Sequence, residues 1–220
     1  MVGLALKLTD LGFSKGAIAE TIVSTYNTDG SANAAPMGVI LQDDRHLIIK
    51  FFNLSKTYKN IAGNRCAVIN LTNSIEAFYK TAFKEANPQG KLSQEWFKKA
   101  RLVEAPKIIF ADATVEVSLD SLEVNEDEKT QAVFSVRSVE ATKIYPQALC
   151  RAASLTLEAI IHATRVKAYL NIDSRQAEIN ILLETINSHS EVVSRVAPHS
   201  ICQLVMVDLQ KRISSWRNAQ

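Results

Sequence analysis

Ser55, Lys56 and Thr57 bring two hydroxyls and an ammonium to the start of a segment with helical character, immediately after the apolar run Leu47 to Phe52. That combination suits an anion. The first N–H groups of a helix have no acceptor within it, the helix dipole is positive there, lysine neutralises charge, and hydroxyls donate to phosphate oxygens. Asn60 lies one turn further on. The same residues read as readily as an ordinary cap on a surface helix, because Ser and Thr are favoured caps and no glycine-rich loop precedes them.

A second candidate is the stretch Asn33 to Val39, in which Ala35, Pro36, Met37, Gly38 and Val39 follow one another. Small residues and a proline let a flat ligand approach backbone N–H and C=O groups. Proline cannot donate to a ladder, so the strand lies at an edge or bulges at Pro36, and an ordinary edge strand is the other reading. His162, and His199 with Cys202, lack a third ligand or an orienting acid at recognisable spacing, and they read as core or surface residues. Glu116, Asp120, Glu123, Glu126, Asp127 and Glu128 read as solvated carboxylates on a strand face and a hairpin loop, without acid/base work.

Short strands must position these residues. Ala17 to Asn27 and Ala32 to Leu41 are β-prone and flank the turn cluster Asn27 to Ser31. Leu47–Phe52 and Cys66–Leu71 make two more strands, and Gly63 with Asn64 would end the short helix Lys56–Ala62 between them. Ser74–Ala86 and Ser93–Leu102 look helical, separated by the breakers Asn87 to Gly90. Strands resume after Pro106, where Val115, Val117 and Leu119 alternate with polar residues. The phase then slips, which places a bulge near Ser121. A partner strand follows through Phe134 and Val136 toward Ile144.

From Pro146 the period becomes helical. Leu149, Ala153, Leu157, Ile160 and Ile161 share one face, Ile179, Leu182, Leu183 and Ile186 another, and Asp173 with Gln176 suggests a capping box. Pro198 opens a third helix with Ile201, Leu204, Val205, Leu209, Ile213 and Trp216 inward. The expectation is an α+β chain with a barrel over residues 1–145 and a helical subdomain over 146–220 packed on it.

Composition narrows the partners. With 47% hydrophobic residues, 22% charged residues and a net charge of +2, the 220-residue chain reads as an ordinary globular protein with no push toward nucleic acid. No apolar run approaches the roughly 20 residues that span a bilayer, so no membrane partner is expected. Cys66, Cys150 and Cys202 are distant and odd in number, which favours three buried thiols in a reducing, cytoplasmic setting.

Three stretches resemble a family of uncharacterised, mainly archaeal proteins in the FMN-binding split-barrel superfamily. They are Glu20 to Val39; Lys56-Thr57-Tyr58-Lys59-Asn60-Ile61 with Cys66 to Thr72; and Cys150-Arg151-Ala152 with Leu157 to Arg165. The second stretch is similar to the phosphate-binding helix of flavin reductases, and its Ser55–Lys56 pair to pyridoxamine phosphate oxidases. Where the family often has asparagine before the arginine, this chain has Cys150.

The resemblance implies an antiparallel split β-barrel with inserted helices and FMN lying along Ala35 to Val39. The phosphate would meet Ser55, Lys56, Thr57 and Asn60, with Asn70 and Thr72 near the ring or ribityl chain. It also implies a homodimer with flavin near the interface and an oxidoreductase of flavin reductase type, met transiently by NADH or NADPH. No dinucleotide fingerprint is present for a stably bound nicotinamide. The alternatives are a non-catalytic FMN carrier, sensor or accessory protein, and a flavin-free interaction module.

Overall fold

The computed structural model describes residues 6–15, 17–52, 55–124, 129–142 and 150–218. They form two compact units, one of Met1–Thr72 with Asn87–Tyr145 and one of Asn73–Ala86 with Pro146–Gln220. Among the described residues no helix is long and apolar enough to cross a membrane.

The first unit is a closed antiparallel barrel. In chain order its strands are β1 (Ile18–Tyr26), β2 (Ala32–Asp43), β3 (His46–Phe52), β4 (Cys66–Leu71), β7 (Ala113–Val124) and β8 (Lys129–Ala141), arranged β1-β2-β3-β8-β7-β4. The period of two decides which side chains fill it. Leu47, Ile49 and Phe51 of β3 point in with Val115, Val117 and Leu119 of β7, all at most 7% exposed. The irregularity between Leu119 and Ser121 shifts β7 by one residue, after which Leu122 packs on the core, as the phase slip in the sequence predicts. The acidic loop and Ile144 lie outside the described residues.

The turn before β2 needs Gly30, whose φ is +80°, and its N–H donates to the Asn27 carbonyl at 2.9 Å. Pro36 pairs with Ile22 of β1 in an unbroken register, while the ladder between β2 and β3 begins only at Val39. Pro36 is therefore at an edge, and the bulge of this strand lies between Leu41 and Asp43 instead.

Ser93–Leu102 is not a helix. A 3₁₀ turn at Gln94–Trp96 leads into β5 (Phe97–Lys99), which pairs with β6 (Pro106–Ile108). The reason is tertiary. Glu116, fully buried rather than solvated, accepts the N–H groups of Arg101 and Leu102 at 2.9 and 2.6 Å, while Trp96 meets Phe110 edge-on. Those two amides are thus captured by a side chain 14–15 residues away instead of by helical carbonyls.

The second unit consists of helices α2 (Ile75–Ala82), α3 (Arg151–Tyr169), α4 (Gln176–Val196) and α5 (Ile201–Asn218). Tyr79 of α2 donates to Asp208 and accepts from Arg212 Nε at 2.7 Å, which ties α2 to α5. Burial and the Asp208 carboxylate hold this phenol well above its ordinary pKa.

The inward face of α3 differs from the sequence expectation. Ala152, Thr156, Ala159, Ile160, Ala163 and Val166 are buried, whereas Ala153, Leu157 and Ile161 are half-buried and Leu149 lies outside the described residues. Small residues win the core side because they admit neighbouring helices closely, and the Thr156 hydroxyl is satisfied by the Ala152 carbonyl at 2.7 Å. On α4, Ile179, Leu182 and Ile186 point inward as expected, with Leu183 half-buried.

The capping box at Asp173 and Gln176 does not form. Asp173 lies in a preceding 3₁₀ turn, and Gln176 donates to Asn180 at 3.2 Å. On α5, Val205, Leu209 and Ile213 are buried with Cys202 and Met206, but Ile201 and Leu204 are exposed. Cys66 and Cys202 are buried thiols, whereas Cys150 is exposed.

The small-residue face makes a direct prediction. Ala163→Leu overpacks α3 and costs about 1–3 kcal/mol, read from the urea midpoint, whereas Leu at the half-buried Ala153 costs less. Equal midpoints for the two variants would show that the assigned face is wrong.

Candidate functional site

The short helix after β3 is α1 (Lys56–Asn64), and its start is built as the sequence suggests. Ser55 is the N-cap, its Oγ accepting the Tyr58 N–H at 3.2 Å, and its own N–H donates to the Phe52 carbonyl at 2.9 Å. The helix ends later than Gly63 and Asn64 imply, because Arg65 takes the left-handed cap position at φ 60°. Arg65 holds that turn with a guanidinium that donates to the carbonyls of Leu119 and Asp120, both at 3.3 Å.

One face of α1 is polar, since Thr57, Asn60 and Asn64 recur at three- and four-residue steps; Thr57 and Asn60 are buried and Asn64 is exposed at its end. Each finds a partner on the β1–β2 hairpin. Asn33 Nδ2 donates to Thr57 Oγ1 at 3.3 Å, Asn60 Nδ2 donates to Thr25 Oγ1 and Asn27 Oδ1 at 3.0 Å each, and Asn64 Nδ2 donates to the Tyr26 carbonyl at 2.7 Å. Ile61, on the same helix, enters the barrel core. Thr25 and Asn27 are the residues that sequence reasoning missed, as is the pairing of Asn33 with Thr57, and the polar stripe of α1 is the signal that points to them.

The outer side of this turn is cationic, with Lys56 and Lys59 exposed. Asp29 in the hairpin turn is its counter-charge. The Ser31 hydroxyl and N–H hold the Asp29 carboxyl below the usual carboxylate range, and the Lys56 charge adds to the effect.

Of the β2 candidates, Ala35, Pro36, Met37 and Gly38 are half-buried, while Val39 is fully buried in the barrel core, paired with Ala19 on one side and Ile49 on the other. A side chain at Gly38 would meet Ile18 Cγ2 at 2.6 Å, so the close neighbour of this glycine here is an exposed isoleucine. Asn70 is fully buried and committed. Its Nδ2 donates to the Ile22 carbonyl and Ser24 Oγ at 2.8 Å each, and its Oδ1 accepts the Ile108 N–H at 2.8 Å. Thr72 is half-buried just past β4. The structure therefore brings Thr57 to Asn33 and Asn60 to Thr25 and Asn27, places Ser55 and Lys56 at the mouth of the same turn, and sets Asn70 inside the wall.

The other candidates fall elsewhere. An open depression of about 940 Å³ between Phe13, Lys15, Leu41 and Arg45 lies at the far end of β2, and none of the expected cofactor residues lines it. At its rim His46 Nδ1 lies 2.8 Å from Asp43, whose carboxylate also accepts the N–H groups of Arg45 and His46. Among the described residues no group of three or more His, Cys, Asp and Glu is placed to hold a metal. His162 stacks on His189 across α3 and α4 with ring centroids 6.2 Å apart, and its Nε2 lies 3.5 Å from Glu158.

With this geometry in place, likeness to known proteins becomes informative. The profile of the family described as protein of unknown function (DUF447), N-terminal domain, matches residues 19–144. Among solved structures, an FMN-bound DUF447 protein from Methanosarcina mazei superimposes with a TM-score of 0.74 at 22% identity, over 93% of this chain and 98% of its own. A candidate flavin reductase with a split barrel domain from Shewanella frigidimarina gives 0.50 at 14% identity, over 66% and 84%. At these identities the likeness is one of fold, an α+β split barrel. No curated protein matches the sequence significantly.

The stacked histidines yield a pH prediction. Burial pushes His162 below its ordinary value of 6.5, against the pull of Glu158 and together with the charges of Arg165 and His189. A base depressed on folding binds fewer protons in the folded state, so its contribution is intact above about pH 6.5 and is lost as the pH falls toward the lowered value. Thermal unfolding of the full chain should drop between pH 7 and 5, and His162→Gln should flatten that drop. An equal slope in the variant would remove His162 as its source.

Proposed function

Because the chain belongs to the DUF447 family, we propose that it binds FMN and works as an oxidoreductase of the flavin reductase type. The observation that carries the proposal is the cationic, serine-capped start of α1, fixed by Asn33 two residues ahead of the half-buried stretch Ala35 to Gly38. The donor set fits a phosphorylated flavin: a helix N-terminus, two exposed ammonium groups and the half-buried Ser55 hydroxyl stand at one end with the buried Thr57 hydroxyl beneath them, and narrow side chains run along the adjoining strand.

In this reading Ser55, Lys56 and Thr57 hold the phosphate. Ala35, Pro36, Met37 and Gly38 lie along the ring, with Val39 anchoring the strand in the core. Thr72 approaches the ring or ribityl chain, and Asn70 supports them by fixing β4 to β1. Bound FMN would supply the redox chemistry, so the protein's part is to bind, orient and control access, and no acid or base of its own is required. NADH or NADPH would be a transient donor. A homodimer with the cofactor near the shared face would cover the part of β2 that precedes its ladder with β3.

Visible absorption of the purified protein tests the proposal first: bound or readily taken-up FMN is expected, and a protein that stays colourless with added FMN overturns it. Stopped-flow mixing with NADH or NADPH then separates enzyme from carrier, since only an enzyme bleaches the flavin within turnover times. Lys56→Ala should weaken FMN binding about tenfold through loss of a charge-assisted contact, with unfolding unchanged because the side chain is exposed. Unchanged affinity would take Lys56 out of the site.

A further inference from the structure

We infer that Asn33 and Asn60 are positioning residues for the phosphate end of the cofactor, acting through α1 rather than by touching the ligand; the inference rests on the FMN reading above. Both are buried, at 4% and 8% exposure, and both amides are directed at protein groups. Asn60 gives its Nδ2 hydrogens to Thr25 and Asn27, so they are not offered to a phosphate. Asn33 donates to Thr57 Oγ1, so that oxygen serves as acceptor and its own proton is left to donate elsewhere. An amide at Asn33 therefore sets the donor sense of the Thr57 hydroxyl.

The network continues to the charge of the site. Asn27 Nδ2 donates to Ser31 Oγ at 2.9 Å, Ser31 Oγ donates to Asp29 at 2.5 Å, and Asp29 is the carboxylate beside Lys56. Two sets of hydrogen bonds, Asn33 to Thr57 and the chain from Asn60 through Asn27 and Ser31 to Asp29, thus tie α1, the hydroxyl of Thr57 and the counter-charge of Lys56 to the β1–β2 hairpin. Apolar packing alone would leave the helix free to slide by fractions of an ångström, whereas hydrogen bonds weaken steeply with misalignment and hold it in one place. Anion binding at a helix start depends on that placement, because its donors must converge on one group.

Riboflavin, which lacks the phosphate, separates positioning from general stability. Dissociation constants of FMN and riboflavin are measured for the full chain, for Asn33→Ala, Asn60→Ala and Thr57→Val, and for the Asn33→Ala/Thr57→Val pair. The expected result is a fall of about tenfold in the preference for FMN over riboflavin in each single variant, with riboflavin binding changed less than about twofold. The double variant should lose little more than Thr57→Val alone, since both changes act through one hydroxyl. Asn33→Ser, which keeps a donor of shorter reach, replaces Asn33→Ala if the latter does not melt cooperatively.

An unchanged preference in the variants, or equal weakening of both flavins, overturns the inference while leaving FMN binding in place. A wild-type protein that binds FMN no better than riboflavin overturns the phosphate reading itself.

Discussion

The barrel closes where β1 meets β4, and this junction is short: Ile22 faces Asn70, Val23 faces Ile69 and Ser24 faces Val68, and the ladder goes no further. A single buried amide reinforces it. Asn70 bonds to the backbone and side chain of β1 on one side and to the Ile108 N–H of β6 on the other, while Ser24 Oγ donates to the Pro106 carbonyl at 2.5 Å. Closure pairs the first strand with the fourth and leaves the start of β2 unpaired on its β3 side, and it fixes β1 as the floor on which β2 and α1 sit. Everything proposed for the site depends on that floor, because Thr25 and Asn27, which receive Asn60, belong to the end of β1 and the turn that follows it.

Much of the barrel was legible in the sequence because its strands obey one local rule. Alternation in β3 and β7 reports which side faces the core, and the slip at Asp120 is visible as a change of phase. The failures share a cause of another kind. Ser93 to Leu102 carry a helical pattern, yet Phe97 to Lys99 pair with β6 and Glu116, 14–15 residues further on, takes the N–H groups of Arg101 and Leu102. The apolar count on α3 favours Leu157 and Ile161, but close approach between helices selects Ala159 and Ala163 for the interior. Neither effect is local, so neither is visible to a sliding window.

The candidate site divides in the same way. The cap at Ser55 and the exposure of Lys56 follow from residue type and position, and both are read correctly from the chain alone. That Thr57 would meet Asn33, and Asn60 would meet Thr25, is not readable without the hairpin register that places those partners 24 and 35 residues away. The nature of the ligand was not legible from residue chemistry at all, since a serine-capped helix start is common. The expectation of FMN came from a resemblance spread over much of the chain, and the fold agrees with it.

The docking of α1 through amides sets unequal rules for sequence change. Aliphatic positions in the barrel, such as Ile49 or Val115, tolerate volume-conserving exchanges because dispersion and burial vary smoothly with shape. Asn60 has no such neighbours in chemical space: a shorter side chain loses reach, an acid loses both donors, and an aliphatic leaves Thr25 and Asn27 without a donor. Drift in this chain is thus expected to be gradual in the core and all-or-none along the inner face of one short helix.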